Sequence, residues 1–396
     1  MKVCHIITRL IVGGAQENTL LTCEGLHRRG HDVTLMVGPE TGAEGSLWDE
    51  ARSGGYRVMK IDSLRRSVNP WHDARCLGHL RAALRDLKCD VVHTHSSKAG
   101  ILGRRAAANA NVSVVVHTIH GMSFNRTQPW WRQRVYRFVE RRAACHTHGF
   151  ISVADAMTDQ AVAARLAPRA RFVTIRSGMR LEHYAPNPAV RAEVRRAWNL
   201  TDGDVAVGTV ARLFRNKGYE HILDALPIAA ERNPRLRFIW IGEGAQRDEY
   251  LQKLSDMGLT DRVHLTGLVP PSQIGRLMNG LDILVHASLW EGLPRALVQA
   301  MLTGVPVVSF DNDGAPEVVL PGSTGVLVSR GDAVGLADGL VSLAADGELR
   351  RRLGAEGRRR CLEMFDHGMM VDQIEALYAR LIVRTGRTGP IRWSPR

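Results

Sequence analysis

The sequence has 396 residues, of which 44% are hydrophobic and 23% charged, and its formal net charge is +13. This composition excludes a disordered or low-complexity chain, and the length fits two domains of roughly 200 residues each. The excess of positive charge favours anionic partners: nucleic acid, an acidic membrane face or phosphorylated substrates.

The N-terminal residues and the cysteines bear on where the protein works. The first apolar run is broken by His5, Thr8 and Arg9, which does not fit a signal peptide, and no apolar run approaches the roughly 18 residues of a membrane span. No C-x-x-C pair occurs among the six cysteines, which are Cys4, Cys23, Cys76, Cys89, Cys145 and Cys361. We therefore expect a cytoplasmic protein with reduced thiols.

The first half of the chain repeats a short apolar run, a loop and a longer stretch with helical spacing. The runs are rich in Val and Ile and nearly continuous in apolar character, which is typical of parallel strands covered by helices on both faces. Seven strands are predicted, at 3–8, 32–37, 56–61, 90–93, 113–118, 149–153 and 171–175. This pattern predicts a doubly wound α/β domain.

The loop after the first strand contains Gly13 and Gly14, which open a helix that runs towards His27. Backbone amides at a glycine-rich helix N-terminus can bind a phosphate. The G-x-G-x-x-G dinucleotide motif is absent, so without other support a structural tight turn explains this loop better.

Several histidines lie at strand ends in the same half: His93, His95, His117 and His120. We expect no metal site, because cysteine and carboxylate partners are lacking and strand alternation sends His117 and His120 to opposite sides. His95 and Lys98 are predicted to open a helix and are candidate acceptor contacts. Simple helix caps are the alternative.

Residues 126–142 combine basic and aromatic side chains in a predicted helix. These are Arg126, Arg132, Arg134, Arg137, Arg141 and Arg142, with Trp130, Trp131, Tyr136 and Phe138, opposed only by Glu140. Such helices are typical of proteins that settle on anionic lipid headgroups. The alternative is a solvated helix whose aromatic rings pack inward. Nucleic-acid binding is not expected, because none of its usual modules is recognisable.

Gly178 and the Pro-Asn-Pro at 186–188 interrupt the pattern, and a second series of buried strands follows at 205–210, 237–241, 263–265, 283–286 and 305–309. Two Rossmann-like domains that face each other across a cleft are the economical arrangement. We assign 1–185 to the first domain and 186–365 to the second. Residues 366–384 are predicted to form a helix that crosses back to the first domain, and 385–396 a flexible tail.

Two loops in the second half carry candidate substrate-binding residues. Arg212 and Lys217 follow a predicted strand, where they could hold a diphosphate by charge-assisted hydrogen bonds. Glu291 precedes Gly292 and Leu293, whose amides could bind sugar hydroxyls and phosphate oxygens beside its carboxylate. Taken singly, solvated surface cations and a helix cap would explain these residues.

Several strings of this sequence closely resemble one known family. They are VGTVARLFRNKGYEHILDA at 207–225, GEG at 242–244, VHLTG at 263–267, WEGLPRALVQAM at 290–301 and GAPE at 314–317, together with the Gly-Gly loop, DVVHTHSSKAG at 90–100 and VVVHTIHG at 114–121. In this order they resemble the retaining glycosyltransferases of family four, which have the GT-B fold. The resemblance implies a nucleotide-diphosphate sugar as donor, UDP- or GDP-linked, no metal or other cofactor, and retention of anomeric configuration.

The family's site residues can be carried over one at a time. Its phosphate-binding pair falls on Arg212 and Lys217, its sugar-binding glutamate on Glu291, and its histidine near the donor sugar on His120. The second glutamate of its E-x7-E motif, which holds the ribose, falls on Gln299, whose amide keeps hydrogen-bonding capacity without charge. The remaining residues assigned to donor binding are Gly13, Gly14, Gly267, Leu268, Gly292 and Leu293.

The resemblance implies transfer of a sugar to a glycan or lipid-linked acceptor, in the synthesis of cell-surface polysaccharide, lipopolysaccharide or glycolipid. The basic first half suits a peripheral location at the inner face of the cytoplasmic membrane. One alternative is a nucleotide-sugar epimerase, which the run around Glu291 disfavours. The other is a non-catalytic sugar-nucleotide-binding protein, which only Gln299 favours.

Overall fold

A computed structural model describes residues 1–39, 42, 45–125 and 128–388, so Arg126 and the end of the predicted tail lie outside the described residues. The chain divides into two units. The first comprises Met1–Gly178 and the segment from His367, and the second comprises Met179–Asp366. The division after Gly178 lies upstream of the boundary predicted at 185/186.

The first unit contains a seven-stranded parallel sheet. Its strands are β1 (Lys2–Ile7), β2 (Asp32–Val37), β3 (Arg57–Lys60), β4 (Val91–His95), β5 (Val114–Ile119), β6 (Gly149–Ser152) and β7 (Phe172–Thr174). Their order is β3-β2-β1-β4-β5-β6-β7, so the direction of winding reverses beside β1. In such sheets, ligands bind at the carboxyl ends of the strands near this reversal.

Helices cover this sheet, and nearly all of the residues in β1, β2, β4, β5 and β6 are buried, as continuous apolar runs require. The helices are α1 (Gly14–Arg28), α2 (Trp48–Ser53), α3 (Pro70–Leu87), α4 (Ser97–Asn109), α5 (Trp130–Ala144) and α6 (Asp155–Ala163). Because each helix follows a parallel strand, the N-termini of these helices lie near the carboxyl edge of the sheet.

The second unit contains a six-stranded parallel sheet with the order β10-β9-β8-β11-β12-β13. Its strands are β8 (Val205–Val210), β9 (Leu236–Ile241), β10 (Val263–Gly267), β11 (Ile283–His286), β12 (Val307–Asp311) and β13 (Gly325–Ser329). The winding reverses between β8 and β11, which are neighbours in the sheet. The predicted class, two doubly wound Rossmann-like units, is confirmed.

Eight helices accompany the second sheet among the described residues. They are α7 (Pro188–Ala197), α8 (Tyr219–Arg232), α9 (Arg247–Asp256), α10 (Pro271–Met278), α11 (Arg295–Leu302), α12 (Ala315–Val318), α13 (Ala333–Ala345) and α14 (Gly347–Met364). An aromatic cluster anchors α8 and α9 to β9: the Tyr219 ring centroid lies 5.0 Å from that of Trp240 and 5.3 Å from that of Tyr250.

The last helix, α15 (His367–Thr388), belongs to the first unit. It packs against α1 so closely that a Cβ at Gly25 would lie 2.6 Å from a methyl carbon of Val371. Met370, Ile374 and Tyr378 are buried in the same core as β1 and β2. The first unit is therefore completed by the C-terminal end of the chain.

Candidate active site

The loop that carries Lys217 is held in place by a glycine. Lys217 ends a short 3₁₀ turn, Arg215–Lys217, at the carboxyl edge of the second sheet. Gly218 follows with φ 73°, and a Cβ there would lie 1.8 Å from the carbonyl oxygen of Ala287, just beyond β11. Only glycine tolerates both the left-handed conformation and this approach. The two strand ends that carry Lys217 and Glu291 are thereby held together.

Lys217 and Glu291 form an ion pair, with Nζ 2.5 Å from Oε1 and side chains that are 18% and 19% exposed. His286 ends β11 and places Nε2 3.5 Å from the same carboxylate oxygen. Burial alone raises the pKa of Glu291, but the charge of Lys217 and the neighbouring His286 ring outweigh it and hold this pKa well below its usual range. Glu291 is thus a carboxylate at neutral pH, which accepts hydrogen bonds from hydroxyl groups and has no proton to give.

The backbone around Glu291 is fixed by contacts with the loop after β12. The amide of Glu291 donates to Asp313 Oδ2 at 2.8 Å, and the amide of Gly314 donates to the carbonyl of Gly292 at 3.2 Å. Glu291 lies in the loop ahead of α11, whereas Gln299 lies within that helix. This loop places the carboxylate beside Lys217.

Arg212 lies two residues beyond the end of β8. Its Cζ lies 5.0 Å from the centroid of the Phe214 ring, a cation–π contact. Gly242, at the end of β9, has φ 149°, and a Cβ there would lie 2.1 Å from the carbonyl oxygen of Ala211. The loop that carries Arg212 is therefore fixed between β8 and β9, at the same edge of the sheet as Lys217.

Gly267 and Leu268 lie at this edge as well. Gly267 ends β10 with φ 73° and forms an isolated bridge with Gly242, and Leu268 is exposed. In the second unit, the structure thus brings Arg212, Lys217 and Glu291 to one edge of the sheet, with Gly267 at the end of the strand beyond β9. Their assignment to a donor site stays a prediction.

Gln299, predicted to lie at the ribose end of the donor, is a buried residue of α11. Its Nε2 donates a hydrogen bond of 2.8 Å to the hydroxyl of Tyr184. A tyrosine hydroxyl can donate as well as accept, so the same contact can form with a carboxylate at position 299.

We expect Gln299→Glu to leave turnover within roughly tenfold of the wild-type value, a difference of about 1.4 kcal/mol in activation free energy. Steady-state kinetics at saturating donor would measure it, with Tyr184→Phe in the Gln299→Glu background testing whether the hydroxyl supports the new carboxylate. A folded but inactive Gln299→Glu enzyme would show that the site depends on the amide.

In the first unit, Gly13 and Gly14 lie at the start of α1, where Gly13 has extended backbone (φ 174°). The neighbouring end of β1 is tied to the start of α4. The Thr8 hydroxyl lies 2.8 Å from Ser96 Oγ and accepts a hydrogen bond of 3.1 Å from the amide of Ala99. The end of β1, which precedes the glycine loop, is therefore held against α4. Contact between the glycine loop and a donor stays a prediction.

His95 does not open a helix: it is the last residue of β4 and is fully buried. Its Nε2 lies 3.0 Å from His5 Nδ1, and its Nδ1 lies 3.0 Å from His120 Nε2. Both of its ring nitrogens are thus engaged by imidazoles, so the structure gives His95 a place in the core and not a contact surface for an acceptor. Lys98, the other candidate, is paired with Asp73 and donates to the Ser67 carbonyl at 2.8 Å.

The buried histidines also bear on the prediction of no metal site. Within the described part of the chain, ring nitrogens of His5, His93 and His95 lie within 4.8 Å of one another. However, His93 uses both nitrogens in hydrogen bonds, 2.5 Å from the Tyr378 hydroxyl and 2.6 Å from Thr118 Oγ1. The arrangement suits a hydrogen-bonded core, and metal independence stays a prediction.

Comparison with known proteins shows the family. Residues 13–178 match the glycosyl transferase 4-like domain, and residues 190–360 match the glycosyl transferases group 1 family. This chain is a glycosyltransferase. The two matches fall on the two structural units, so each half of the glycosyltransferase is recognised separately.

Relatives of this glycosyltransferase have named substrates. It is 28% identical over 386 residues to the Escherichia coli UDP-Gal:alpha-D-GlcNAc-diphosphoundecaprenol alpha-1,3-galactosyltransferase, a match that covers 97% of this chain and 98% of that one. It is 26% identical over 337 residues to the GDP-mannose-dependent alpha-(1-6)-phosphatidylinositol monomannoside mannosyltransferase of Mycobacterium tuberculosis, covering 83% and 85% of the two chains.

Solved structures show that the glycosyltransferase has the GT-B fold. The Anabaena protein HepE, in complex with UDP and glucose, superposes with a TM-score of 0.83 at 20% identity, over 96% of this chain and 100% of that one. WaaG, a glycosyltransferase involved in lipopolysaccharide biosynthesis, gives a TM-score of 0.75 at 15% identity, over 95% and 99%.

Helix α5 of the glycosyltransferase exposes three of its four aromatic residues. Trp130, Trp131 and Phe138 are 72%, 57% and 58% exposed, so the alternative in which these rings pack inward is wrong. The buried side of the helix carries Glu140, whose Oε2 lies 2.6 Å from a guanidinium nitrogen of the fully buried Arg104 in α4. Among the described residues, no helix has the length and apolar character to cross a bilayer.

Sequence reasoning about this glycosyltransferase missed three residues that support the predicted ones: His286 beside Glu291, Asp313 behind the Glu291 amide, and Tyr184 against Gln299. His286 alone carried a signal, as a histidine at the end of a buried strand. Asp313 and Tyr184 are distant in sequence from their partners, so their contacts are visible only in three dimensions.

Proposed function

We propose that this glycosyltransferase moves a hexosyl group from a UDP- or GDP-linked sugar to a lipid-linked or glycan acceptor, with retention of anomeric configuration. The observation that carries the proposal is the ion pair of Lys217 and Glu291 at the carboxyl edge of the second sheet, the edge at which Arg212 also lies. The names of the relatives support it, since they include donors linked to UDP and to GDP and acceptors that are lipid-linked.

The proposed site stabilises the leaving group by charge. Negative charge grows on the diphosphate as the glycosyl bond breaks, and preorganised cations stabilise that charge most where water is partly excluded. Lys217 is only 18% exposed and is held by Gly218, so it needs little reorganisation. Arg212 supplies the second cation, and the charge needed for departure thus comes from side chains, with no metal ion.

Glu291 binds the sugar and does not transfer protons in this proposal. Its carboxylate, ionised because its pKa is held well below the usual range, accepts hydrogen bonds from hydroxyl groups. We nominate no protein general base. The departing phosphate takes the proton of the acceptor hydroxyl on the same face of the sugar, which gives retention.

A donor screen tests the function. Purified enzyme is incubated with UDP- and GDP-linked hexoses in the presence of EDTA, and free nucleoside diphosphate and thermal stabilisation are measured together. A transferase with slow hydrolysis releases the diphosphate, whereas an epimerase changes the sugar without releasing it. A binding protein is stabilised but gives no product. Absence of release with every donor would overturn the proposal.

The exposed face of α5 is proposed to hold the first unit on an anionic membrane, where a lipid-linked acceptor would lie. Arginines on this helix lie over aromatic rings, with the Cζ of Arg132 5.6 Å from the Tyr136 centroid and the Cζ of Arg142 5.3 Å from the Phe138 centroid. Exposed tryptophans and guanidinium groups on one helix are the combination that enters the headgroup region. Attraction to an anionic leaflet is worth about 1 kcal/mol for each basic residue near the surface.

We expect the glycosyltransferase to co-sediment with anionic vesicles at low salt, and to bind much less to neutral vesicles or at high salt. Changing Arg132, Arg134 and Arg137 to Gln should weaken this binding. The matched control changes three exposed arginines of α14, Arg351, Arg352 and Arg359, to Gln and removes the same charge from the second unit. Equal loss in both variants, or no dependence on lipid charge, would show that α5 is an ordinary solvated helix.

A further inference from the structure

Three imidazoles form a continuous hydrogen-bonded chain inside the first unit. His5 Nδ1 lies 3.0 Å from His95 Nε2, and His95 Nδ1 lies 3.0 Å from His120 Nε2. His5 and His95 are fully buried in adjacent strands, β1 and β4, while His120 follows β5 and is half-buried. The chain thus runs from the core to the residue that the family resemblance assigns to the donor sugar.

The rings in the core are neutral. Burial lowers the pKa of His5 to about 3 and holds the pKa of His95 well below its ordinary value. A neutral imidazole has one N–H donor and one bare nitrogen. A chain of such rings can therefore run in one of two directions, and a single proton position decides the direction for all three residues.

His5 decides the direction. Its Nε2 is buried and has no hydrogen-bond partner among the described residues. If His5 Nδ1 accepted from His95, its proton would sit on this Nε2 as a buried donor without an acceptor, and such orphaned N–H groups are rare in folded proteins. If His5 Nδ1 donates instead, only a lone pair is left unpartnered, which is the less costly arrangement.

We propose that His95 is a positioning residue that fixes His120 as the Nδ1–H tautomer. His5 Nδ1–H donates to His95 Nε2, and His95 Nδ1–H donates to His120 Nε2, so the single proton of His120 remains on Nδ1. What this means for the sugar rests on the proposed function: His120 then meets a donor oxygen as a hydrogen-bond donor and not as a base. Such a role agrees with a transfer in which no side chain accepts the proton of the acceptor.

Nuclear magnetic resonance on the intact protein tests the tautomer directly. The protein is labelled with 15N-histidine and recorded without ligand at neutral pH, with two-bond proton–nitrogen correlations to distinguish protonated from bare ring nitrogens. The His120 and His95 signals are assigned by their loss in His120→Asn and His95→Asn. We expect Nδ1–H and bare Nε2 in both residues. Protonation at Nε2 in either residue would overturn the proposal.

Two matched substitutions test the positioning role. Asparagine places an amide nitrogen near the position of Nδ1, so His95→Asn keeps the bond to His120. Glutamine reaches the position of Nε2, so His95→Gln keeps the hydrogen bond to His5 but loses the hydrogen bond to His120. We expect a mixed tautomer of His120 only in His95→Gln, with kcat/KM for the donor reduced at least about tenfold, mainly through KM, and a value within about threefold of wild type in His95→Asn.

Equal losses in the two variants, with His120 still protonated at Nδ1, would remove His95 from this role. Thermal unfolding of both variants identifies a loss that is only structural, and the spectrum of the unaltered protein decides the tautomer even if a variant does not fold. If no donor releases nucleoside diphosphate, the proposed function fails, while the spectrum still decides the state of His120.

Discussion

Lys217→Ala should lower turnover at least about 100-fold, the scale of losing one charged contact to a transition state. The lysine is held by Gly218 against the chain beyond β11, and its ammonium lies 2.5 Å from Glu291. Its removal takes a preorganised cation from the proposed leaving-group site. It also leaves the Glu291 carboxylate with His286 as its partner, and an uncompensated negative charge opposes diphosphate binding. Arg212→Ala should have an effect of the same order for the first of these reasons.

The fold should survive these changes, because Lys217 and Glu291 both retain partial contact with water. Arg215→Ala is the matched control: it lies in the same 3₁₀ turn, but its side chain is 66% exposed and pairs with Glu249. Exposed pairs contribute little, so this variant should remain near wild type. Initial rates at saturating donor compare Lys217→Ala, Arg212→Ala and Arg215→Ala with wild type, and circular dichroism confirms that each variant is folded. A folded Lys217→Ala enzyme with near-normal turnover would remove this residue from the leaving-group site.

Acid should destabilise the protein steeply, starting just below pH 6.5. Burial lowers the pKa of four core histidines, to about 3 for His5 and well below the ordinary value for His93, His95 and His117. In the unfolded chain these groups titrate near 6.5, so the unfolded state binds more protons between pH 6.5 and the folded pKa values. Each histidine then costs about 1.4 kcal/mol of unfolding free energy per pH unit, and the loss grows as the pH falls.

Together, the four buried histidines would lower the free energy of unfolding by on the order of 5 kcal/mol at pH 5.5. This loss is comparable to the whole stability of a typical domain. Urea unfolding followed by tryptophan fluorescence between pH 8 and pH 5 would measure the slope. His5→Asn should reduce the slope by the share of one histidine, whereas His72→Asn, at an exposed position, should leave it unchanged. An unfolding free energy that is flat from pH 7 to pH 5.5 would contradict this account.

Most of the fold follows from patterns in the sequence, because strands buried on both faces are nearly continuous in apolar residues. The predictions at 32–37, 205–210 and 283–286 coincide with β2, β8 and β11. Strand β13 was missed: it is a short strand at the edge of the sheet, where most of its residues are only partly buried and the apolar signal is weak.

The end of β4 shows where such patterns fail. The prediction stopped the strand at His93, because a histidine counts as polar and Thr94 and His95 extend the polar run. In the structure all five residues of Val91–His95 are buried, since each polar side chain finds a partner on a neighbouring strand or helix. A hydrogen-bonded core of this kind depends on residues 23 to 285 positions apart, which no local pattern contains.

The candidate site was predicted residue by residue, but not as a unit. The sequence predicted that Lys217 binds the phosphate and that Glu291 binds the sugar. In the structure, Lys217 and Glu291 also form an ion pair with each other. Their proximity follows from the adjacency of β8 and β11 in the sheet. Two strands, β9 and β10, lie between β8 and β11 along the chain, so the order of the strands in the sequence does not reveal this adjacency.

The return of α15 to the first unit sets the order in which the nascent protein can mature. A chain leaves the ribosome N-terminus first, at about 5–20 residues per second, and domains tend to fold as they emerge. The second unit is continuous, Met179–Asp366, and can close before synthesis ends. The first unit lacks Met370, Ile374 and Tyr378 until the last helix appears, so part of its apolar core stays uncovered during translation of the whole second unit. The half that is synthesised first is therefore the half that is finished last.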